Sequence, residues 1–463
     1  MSHKQSLFVE DMALDAIQHH RAGRLAEAEH IYRHILSLNP QHSDSLHLLG
    51  MIVFEMGRSE EAVELIRKAI SIKPDAASYH SNLGNVLQSQ GKLAHAGASY
   101  QRALLLKPDS AVIYVNLGNI FKAQGDFDSS LTCYRRALGL DPQLAEAATL
   151  EAAILLLKGD FPAGWIASER RWDTLDHDTP WRAYPWARWK GEPIPSGRLL
   201  IWREQGIGDE IMFAGLIPDV IRSGLSCVLD CDPRLERPIA RSFPGITVLP
   251  NLVAEEHPEL DIAAHLPCGS LPGIFRTSSA DFAATTSPYL AADPVRRAFF
   301  RNRYSDGRKT IGLAWHTTNK KTGGTRSVDL SIFAPLFALS GIRWVSLQYG
   351  DHIALQEQAA AANAPVLIDH DVDQLANVDE FAAQIAAMDL VITIDNSTAH
   401  LAGAMGVPAW VLLPLAPDWR WMLDRSDSPW YPSLRLFRQT AMGDWESLVE
   451  RVRDALAQAA LWQ

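Results

Sequence analysis

The sequence predicts a multidomain chain of the α plus α/β class: an N-terminal α-solenoid followed by two parallel-sheet halves. Three observations predict it. Pro40, Pro74, Pro108 and Pro142 recur at one fixed step of 34 residues. Beyond Gly197, apolar runs of strand length alternate with amphipathic helical stretches. Between the two regions, residues 173–197 (TLDHDTPWRAYPWARWKGEPIPSGR) are rich in tryptophan and proline and have no period. They read as a boundary segment lying over a surface, with Trp181, Trp186 and Trp189 packed; an aromatic sugar-binding platform is the alternative.

Several residue types share the 34-residue step. Gly23, Gly57, Gly91, Gly125 and Gly159 keep it, as do Gly50, Gly84 and Gly118, then Tyr32, Ile66, Tyr100 and Tyr134, and Ala28, Ala62 and Ala96. The small residues let two helices of a repeat close on each other, the large ones fill the gaps, and the proline ends the second helix. Stacking buries a face that one repeat cannot bury alone. Four full repeats run from about residue 8 to residue 142, and EAAILLLKGDFPAGWIASERRW begins a fifth that drifts into a tryptophan-rich cap. This period with these residues resembles the tetratricopeptide repeat. Such an array offers a groove for an extended peptide; a spacer or a dimerisation element is the other reading.

Composition narrows the function classes. A net charge of −11 argues against binding a nucleic-acid backbone. Cys133, Cys227, Cys231 and Cys268 form no paired CxxC motif, so buried thiols are expected rather than a structural zinc site. No apolar run approaches the ~20 residues a membrane span needs, and the N-terminus lacks a signal-peptide core, so the expected location is cytoplasmic.

In the second region RLLIW leads into the helix DEIMFAGLIPDVIRSG. CVLDC, helix PRLERPIARSF, ITVLP and LDIAAHLP follow, and helix PVRRAFFRNRY opens a second series. That series reads TIGLAW, helix DLSIFAPLFAL, IRWVSLQYG, helix IALQEQAAAA, APVLIDH, helix DEFAAQIAAMD, LVITID, helix STAHLAGAMG, PAWVLLP and a last helix from WESLVERV. Near-continuous apolar strands between helices indicate parallel sheets covered on both faces, hence two Rossmann-like halves across a cleft. Ligands of such sheets bind beyond the carboxyl ends of the strands, which singles out residues 203–209, 316–327 and 395–400.

The first loop, QGIGDEI, places Gly206 and Gly208 before Asp209 and Glu210. A dinucleotide fingerprint would want glycine where Ile211 stands, although Asp230 could serve as its acidic residue. Two carboxylates at a helix start also oppose a pyrophosphate there. Asp209 therefore reads either as a general base or as a helix cap. The second loop gathers Lys320, Lys321 and Arg326 around Gly323 and Gly324, beside His316 and Thr317, and suits an anionic group; a solvated surface loop is the alternative. In the third loop Asp395, Asn396, Ser397 and Thr398 open a helix whose free N–H groups would accept a phosphate, and Ala402, Gly403 and Ala404 permit close packing on the sheet. His400 is either a ligand contact or a hydrogen-bonded core histidine. The Asp230–Cys231–Asp232 tripeptide has the form of a metal-holding pair, but it is a common one, and cations near the phosphate could replace a metal.

GRLLIWREQGIGDEIMFAGLIP resembles the opening of glycosyltransferase family 9, the heptosyltransferase family, and LVITIDNSTAHLAGAMGVPAWVLLP resembles its donor-binding segment. The resemblance covers about residues 197–440. Joined to tetratricopeptide repeats, and with the tail DWRWMLDRSDSPWYPSLRLFRQ, the chain is similar to bacterial repeat-fused glycosyltransferases, some of which modify flagellins. The resemblance implies a GT-B fold, a nucleotide-sugar donor, no essential metal, inversion at the anomeric carbon, and Asp209 as catalytic base. It places phosphate contacts within His316–Ser327 and Asp395–His400, while DNSTAH departs from the heptosyltransferases, so the donor is not transferable. The expected layout is a repeat domain over 1–160, a connecting segment over 161–196, an acceptor-side half over 197–305 and a donor-side half over 306–463. The expected acceptor is a protein serine or threonine, plausibly of a flagellin, held by the repeats. Rival readings are an inactive repeat scaffold and a transferase acting on a glycan or lipopolysaccharide.

Overall fold

A computed structural model describes residues 3–174, 179–253, 256–285, 287–319 and 323–459, with side chains from residue 8 onward. Lys320 and Lys321 lie outside the described residues. The chain forms two compact units, Met1–Glu151 and Ala152–Gln463.

The first unit is a run of helix pairs: α1 (His3–Arg21) with α2 (Leu25–Leu38), α3 (Ser43–Glu55) with α4 (Ser59–Ile72), α5 (Ala77–Ser89) with α6 (Leu93–Leu106), and α7 (Ala111–Ala123) with α8 (Phe127–Leu140). The repeated residues explain the pairing. A Cβ on Gly84 would lie 2.6 Å from Cε1 of Tyr100, and one on Gly118 would lie 2.6 Å from Cε1 of Tyr134. Gly50 meets Ile66 in the same way, at 2.7 Å from Cγ1. Each glycine is thus the socket for the large residue that follows it on the partner helix. The turn between paired helices passes through a left-handed residue, Gly57 at φ +83° and Gly91 at φ +72°, where a side chain would be strained. Polar ties join neighbouring repeats. His47 stacks on Tyr79 with ring centres 4.4 Å apart and bonds Asn82 at 2.8 Å, and Asn116 Nδ2 donates to Asn85 Oδ1 at 3.3 Å.

The break between the units falls within α9 (Ala145–Leu157). In the second unit α10 (Phe161–Ser168) follows, and the connecting segment does more than lie on a surface. Its residues Ala187–Arg188 form strand β1, paired in parallel with β5 (Ile262–Pro267). Trp189 is buried, while Trp181 stays 42% exposed and packs edge-on against the ring of Trp202.

With β2 (Arg198–Trp202), β3 (Cys227–Cys231) and β4 (Thr247–Pro250), these strands make an all-parallel sheet of order β1-β5-β2-β3-β4. The helix expected after β2 is two helices, α11 (Ile207–Ala214) and α12 (Ile217–Arg222). Pro218 explains the break: it has no N–H to give and its ring meets the carbonyl four residues earlier. Then come α13 (Glu236–Ser242), α14 (Pro272–Phe275) and α15 (Pro294–Tyr304).

The second sheet is also all parallel, in the order β11-β10-β9-β6-β7-β8. Its strands are β6 (Lys309–Ala314), β7 (Ile342–Ser346), β8 (Val366–Leu367), β9 (Leu390–Ile394), β10 (Ala409–Leu413) and β11 (Leu434–Arg438). The helices are α16 (Gly323–Arg326), α17 (Ala334–Phe337), α18 (His352–Ala361), α19 (Val378–Ala386), α20 (Ser397–Ala404) and α21 (Trp445–Gln458). The stretch DLSIFAPLFAL is a short 3-10 turn followed by the single turn α17, because Pro335 interrupts it. One buried core runs from Leu199 and Ile201 of the first sheet through Phe213 of α11 to Leu401 of α20 and Tyr431. Arg241 of α13 forks onto Asp379 of α19 at 2.7 and 2.8 Å, a second tie between the halves. No helix among the described residues is long and apolar enough to cross a membrane.

Candidate functional site

The turn after β2 meets the start of α20. Gly208 on α11 faces His400 on α20, and a Cβ there would lie 3.1 Å from His400 Cδ2. Gly208 thus serves helix contact and is sized for a histidine ring. Asp209, next in the chain, has one oxygen bonded within its own turn and the other bonded to Arg420. Gly206 N–H donates to its Oδ2 at 3.1 Å, and Arg420 Nη2 donates to its Oδ1 at 2.7 Å.

Arg420 joins these parts. Its Nε donates to Asp418 Oδ1 at 2.8 Å, and its Nη1 lies 3.2 Å from His400 Nε2. Burial works against its charge, but Asp418, Asp209 and Asp395 outweigh that and hold it above its ordinary value. Arginine only donates, so His400 Nε2 accepts and Nδ1 carries the proton. Nδ1 then donates to Tyr431 Oη, 2.7 Å away. The hydroxyl of Tyr289 donates to the carbonyl of Ile211 on α11 at 2.7 Å. Burial, with Arg420 and Arg326 nearby, holds His400 far below the usual histidine value, so the ring is neutral. Of the two readings of His400, the hydrogen-bonded buried ring is the one observed. Gly403 makes room for Tyr431: a Cβ would sit 2.4 Å from Cγ of that ring, so its smallness serves the tyrosine rather than a strand.

The start of α20 is buried and incompletely satisfied. Asn396 caps it, its Oδ1 accepting from Thr398 N–H and from Thr393 Oγ1, both at 3.0 Å. Yet Asn396 Nδ2 and Thr398 Oγ1 are buried with no hydrogen-bond partner among the described residues. Unpaired buried donors are uncommon and costly. As donors they suit acceptor oxygens of an anion. Ser397 is the first residue of that turn. Asp395 is also buried; desolvation raises its carboxyl above the usual range, opposed by Arg326, whose Nη1 lies 3.1 Å from Oδ2.

In the loop after β6, His316 is exposed and its backbone is clamped by Gln348, which accepts from His316 N–H at 2.8 Å and donates to its carbonyl at 3.1 Å. Thr317 is buried, and Ser327 Oγ lies 3.2 Å from its N–H. Of the three expected cations here, Arg326 is described and faces Asp395. The Asp230–Asp232 pair is divided between separate arginines. Arg182 donates to Asp230 at 2.6 Å, and Arg234 forks onto Asp232 at 2.8 and 2.8 Å. Among the described residues, no three or more histidine, cysteine, aspartate or glutamate side chains gather as a metal site.

Sequence reasoning missed two groups. Arg420 carried a signal only in retrospect, as an arginine between tryptophans in the proline-rich tail. Glu210 is buried, accepts from Asp232 N–H at 2.8 Å, and burial lifts its carboxyl to about 7.

Models of the tetratricopeptide repeat match residues 74–143 and 115–176, and a TPR-repeat model matches 50–91. The N-terminal region is built of tetratricopeptide repeats. Over 337 residues the chain is 31% identical to Protein FlbA of Caulobacter vibrioides, covering 66% of this chain and 54% of that protein. It thus spans about half the length of that curated relative. Two solved structures of similar repeats are a crystal structure of MamA and PilF of Pseudomonas aeruginosa. MamA is 20% identical with a TM-score of 0.32, over 34% of this chain and 91% of its own. PilF is 17% identical with a TM-score of 0.34, over 37% of this chain and 76% of its own.

Proposed function

We propose that the second unit is an inverting glycosyltransferase of the GT-B, family 9 kind, and that the repeats hold its protein acceptor. One observation carries this reading. A carboxylate in the first turn of α11, Asp209, is joined through Arg420 to α20, whose buried start holds hydrogen-bond donors with no acceptor among the described residues. A base and an anion site side by side are what transfer from a sugar phosphate to a hydroxyl requires. Asp209 takes the proton of the acceptor hydroxyl as its oxygen bonds the anomeric carbon from the face opposite the nucleotide. The bond from that carbon to the phosphate oxygen breaks, and the leaving diphosphate keeps the electron pair. A positioned base typically contributes ~10²–10⁴ in rate. The first turn of α20, Arg326 and the cations of the 316–327 loop stabilise the departing charge.

The tetratricopeptide repeats support a protein partner, since stacked repeats present an extended binding surface. A flagellin is the acceptor we favour, on the resemblance to repeat-fused transferases. The test is Asp209→Asn in protein shown to be folded. Transfer from a nucleotide sugar should fall at least about 10²-fold, the low end of a general base's contribution. Transfer at the unaltered rate removes Asp209 from the mechanism.

A further inference from the structure

Arg420 has no task in the mechanism above, yet it is the residue that touches Asp209. Resting on the transferase reading, we propose that Arg420 is a shared arginine: it pairs with Asp209 and turns to the diphosphate of a nucleotide sugar when one binds. The turn leaves the Asp209 carboxylate free for the acceptor proton.

The geometry provides both ends of that movement. Asp209 Oδ1 accepts from Arg420 at 2.7 Å while Oδ2 accepts from Gly206 N–H at 3.1 Å, so each oxygen already holds a donor. A carboxylate so engaged is poorly placed to receive a hydroxyl proton. The other Arg420 nitrogen, Nη1, lies 3.2 Å from His400 on α20, the helix whose first turn carries the unpartnered Asn396 Nδ2 and Thr398 Oγ1. A diphosphate at that turn therefore arrives beside a guanidinium that a weaker-charged carboxylate holds. Asp209, Asp418 and Asp395 surround Arg420 and Arg326, three carboxylates to two arginines. The chain that carries Arg420 is strained. Met422 has φ +53° and Asp424 φ +51°, and Gln205, in the facing turn, has φ +63°. Left-handed backbone at non-glycine residues gathers where a structure holds a poised arrangement.

Asp209 and a diphosphate then compete for one N–H donor, and competition is reciprocal. The experiment is calorimetry on the full chain with UDP, GDP and ADP. For whichever binds, Asp209→Asn should bind it roughly tenfold tighter, because the neutral amide releases Arg420. Arg420→Gln should bind it more weakly, and the double variant no tighter than Arg420→Gln alone. Arg420→Lys, which keeps the charge, covers the case in which Arg420→Gln does not fold; it should retain part of the gain on Asp209→Asn. Thr398→Val reports on the anion site itself. If Thr398→Val weakens binding but Asp209→Asn does not tighten it, the site stands and the shared arginine falls. A gain from Asp209→Asn that persists without Arg420 also overturns it. Absence of binding by all three nucleotides overturns both readings.

Discussion

Glu210 shows how much the surroundings of one side chain decide. It is adjacent to Asp209, but it turns into the interior beside β3, where burial raises its carboxyl to about 7. A carboxyl raised in the folded state stabilises below its unfolded value and loses that contribution as pH rises through the folded value. The penalty is therefore absent near pH 4.5 and complete above about 7. Glu210→Gln keeps an acceptor for Asp232 N–H and has no charge to lose. We expect the variant to match the wild type near pH 4.5 and to exceed it in stability at pH 8, by at most about 3 kcal/mol. Urea unfolding at the two pH values measures this, and equal stability at pH 8 would refute it. Residues of this kind were only partly legible in the sequence. Asp209, Asn396 and Thr398 could be singled out because strand ends and helix starts are local patterns. Arg420 could not, since its role depends on a contact with Asp209, 211 positions away in the chain. Gly208 was read as a turn residue, whereas its smallness answers to His400, a contact equally invisible in one dimension.

At the scale of elements, the repeat glycines set helix spacing. Replacing Gly84 with alanine has two opposed effects. Helix propensity favours alanine by about 1 kcal/mol. Overpacking against the Tyr100 ring, 2.6 Å from the new Cβ, costs about 1–3 kcal/mol. The ring is held by bonds from its hydroxyl to Asn85 at 2.7 Å and Gln88 at 2.9 Å, so it cannot yield cheaply. Gly84→Ala should therefore lower the stability of the repeats, by up to ~2 kcal/mol, in a urea titration, and a gain would contradict the packing argument. Most elements could be read from periodicity, including RLLIW, CVLDC and PVRRAFFRNRY to the residue. The misses have local causes. Pro218 and Pro335 divide stretches whose apolar spacing is continuous. β11 (Leu434–Arg438), with the sequence LRLFR, looks like part of an irregular tail because its arginines interrupt the apolar run. β1 is two residues long, too short for any period, and exists only because β5 offers it an edge.

For the whole molecule, the proposed division of labour makes a separable prediction. Removing residues 1–142 should abolish modification of a protein acceptor while leaving hydrolysis of a nucleotide sugar in place. Undiminished protein modification by the shortened chain would place acceptor recognition in the second unit. The division of the chain was legible because its two regions have unlike periods; the contacts between the two sheets' loops were not. One feature of the first region bears on how such a chain can lengthen. Gly84 and Tyr100 belong to a single repeat, as do Gly118 and Tyr134. Each of these modules carries both lock and key, so a tandem duplication of one such 34-residue stretch arrives with its own helix pair prefitted. Array length is then free to drift, and recognition of longer or shorter clients can be explored without redesigning an interior.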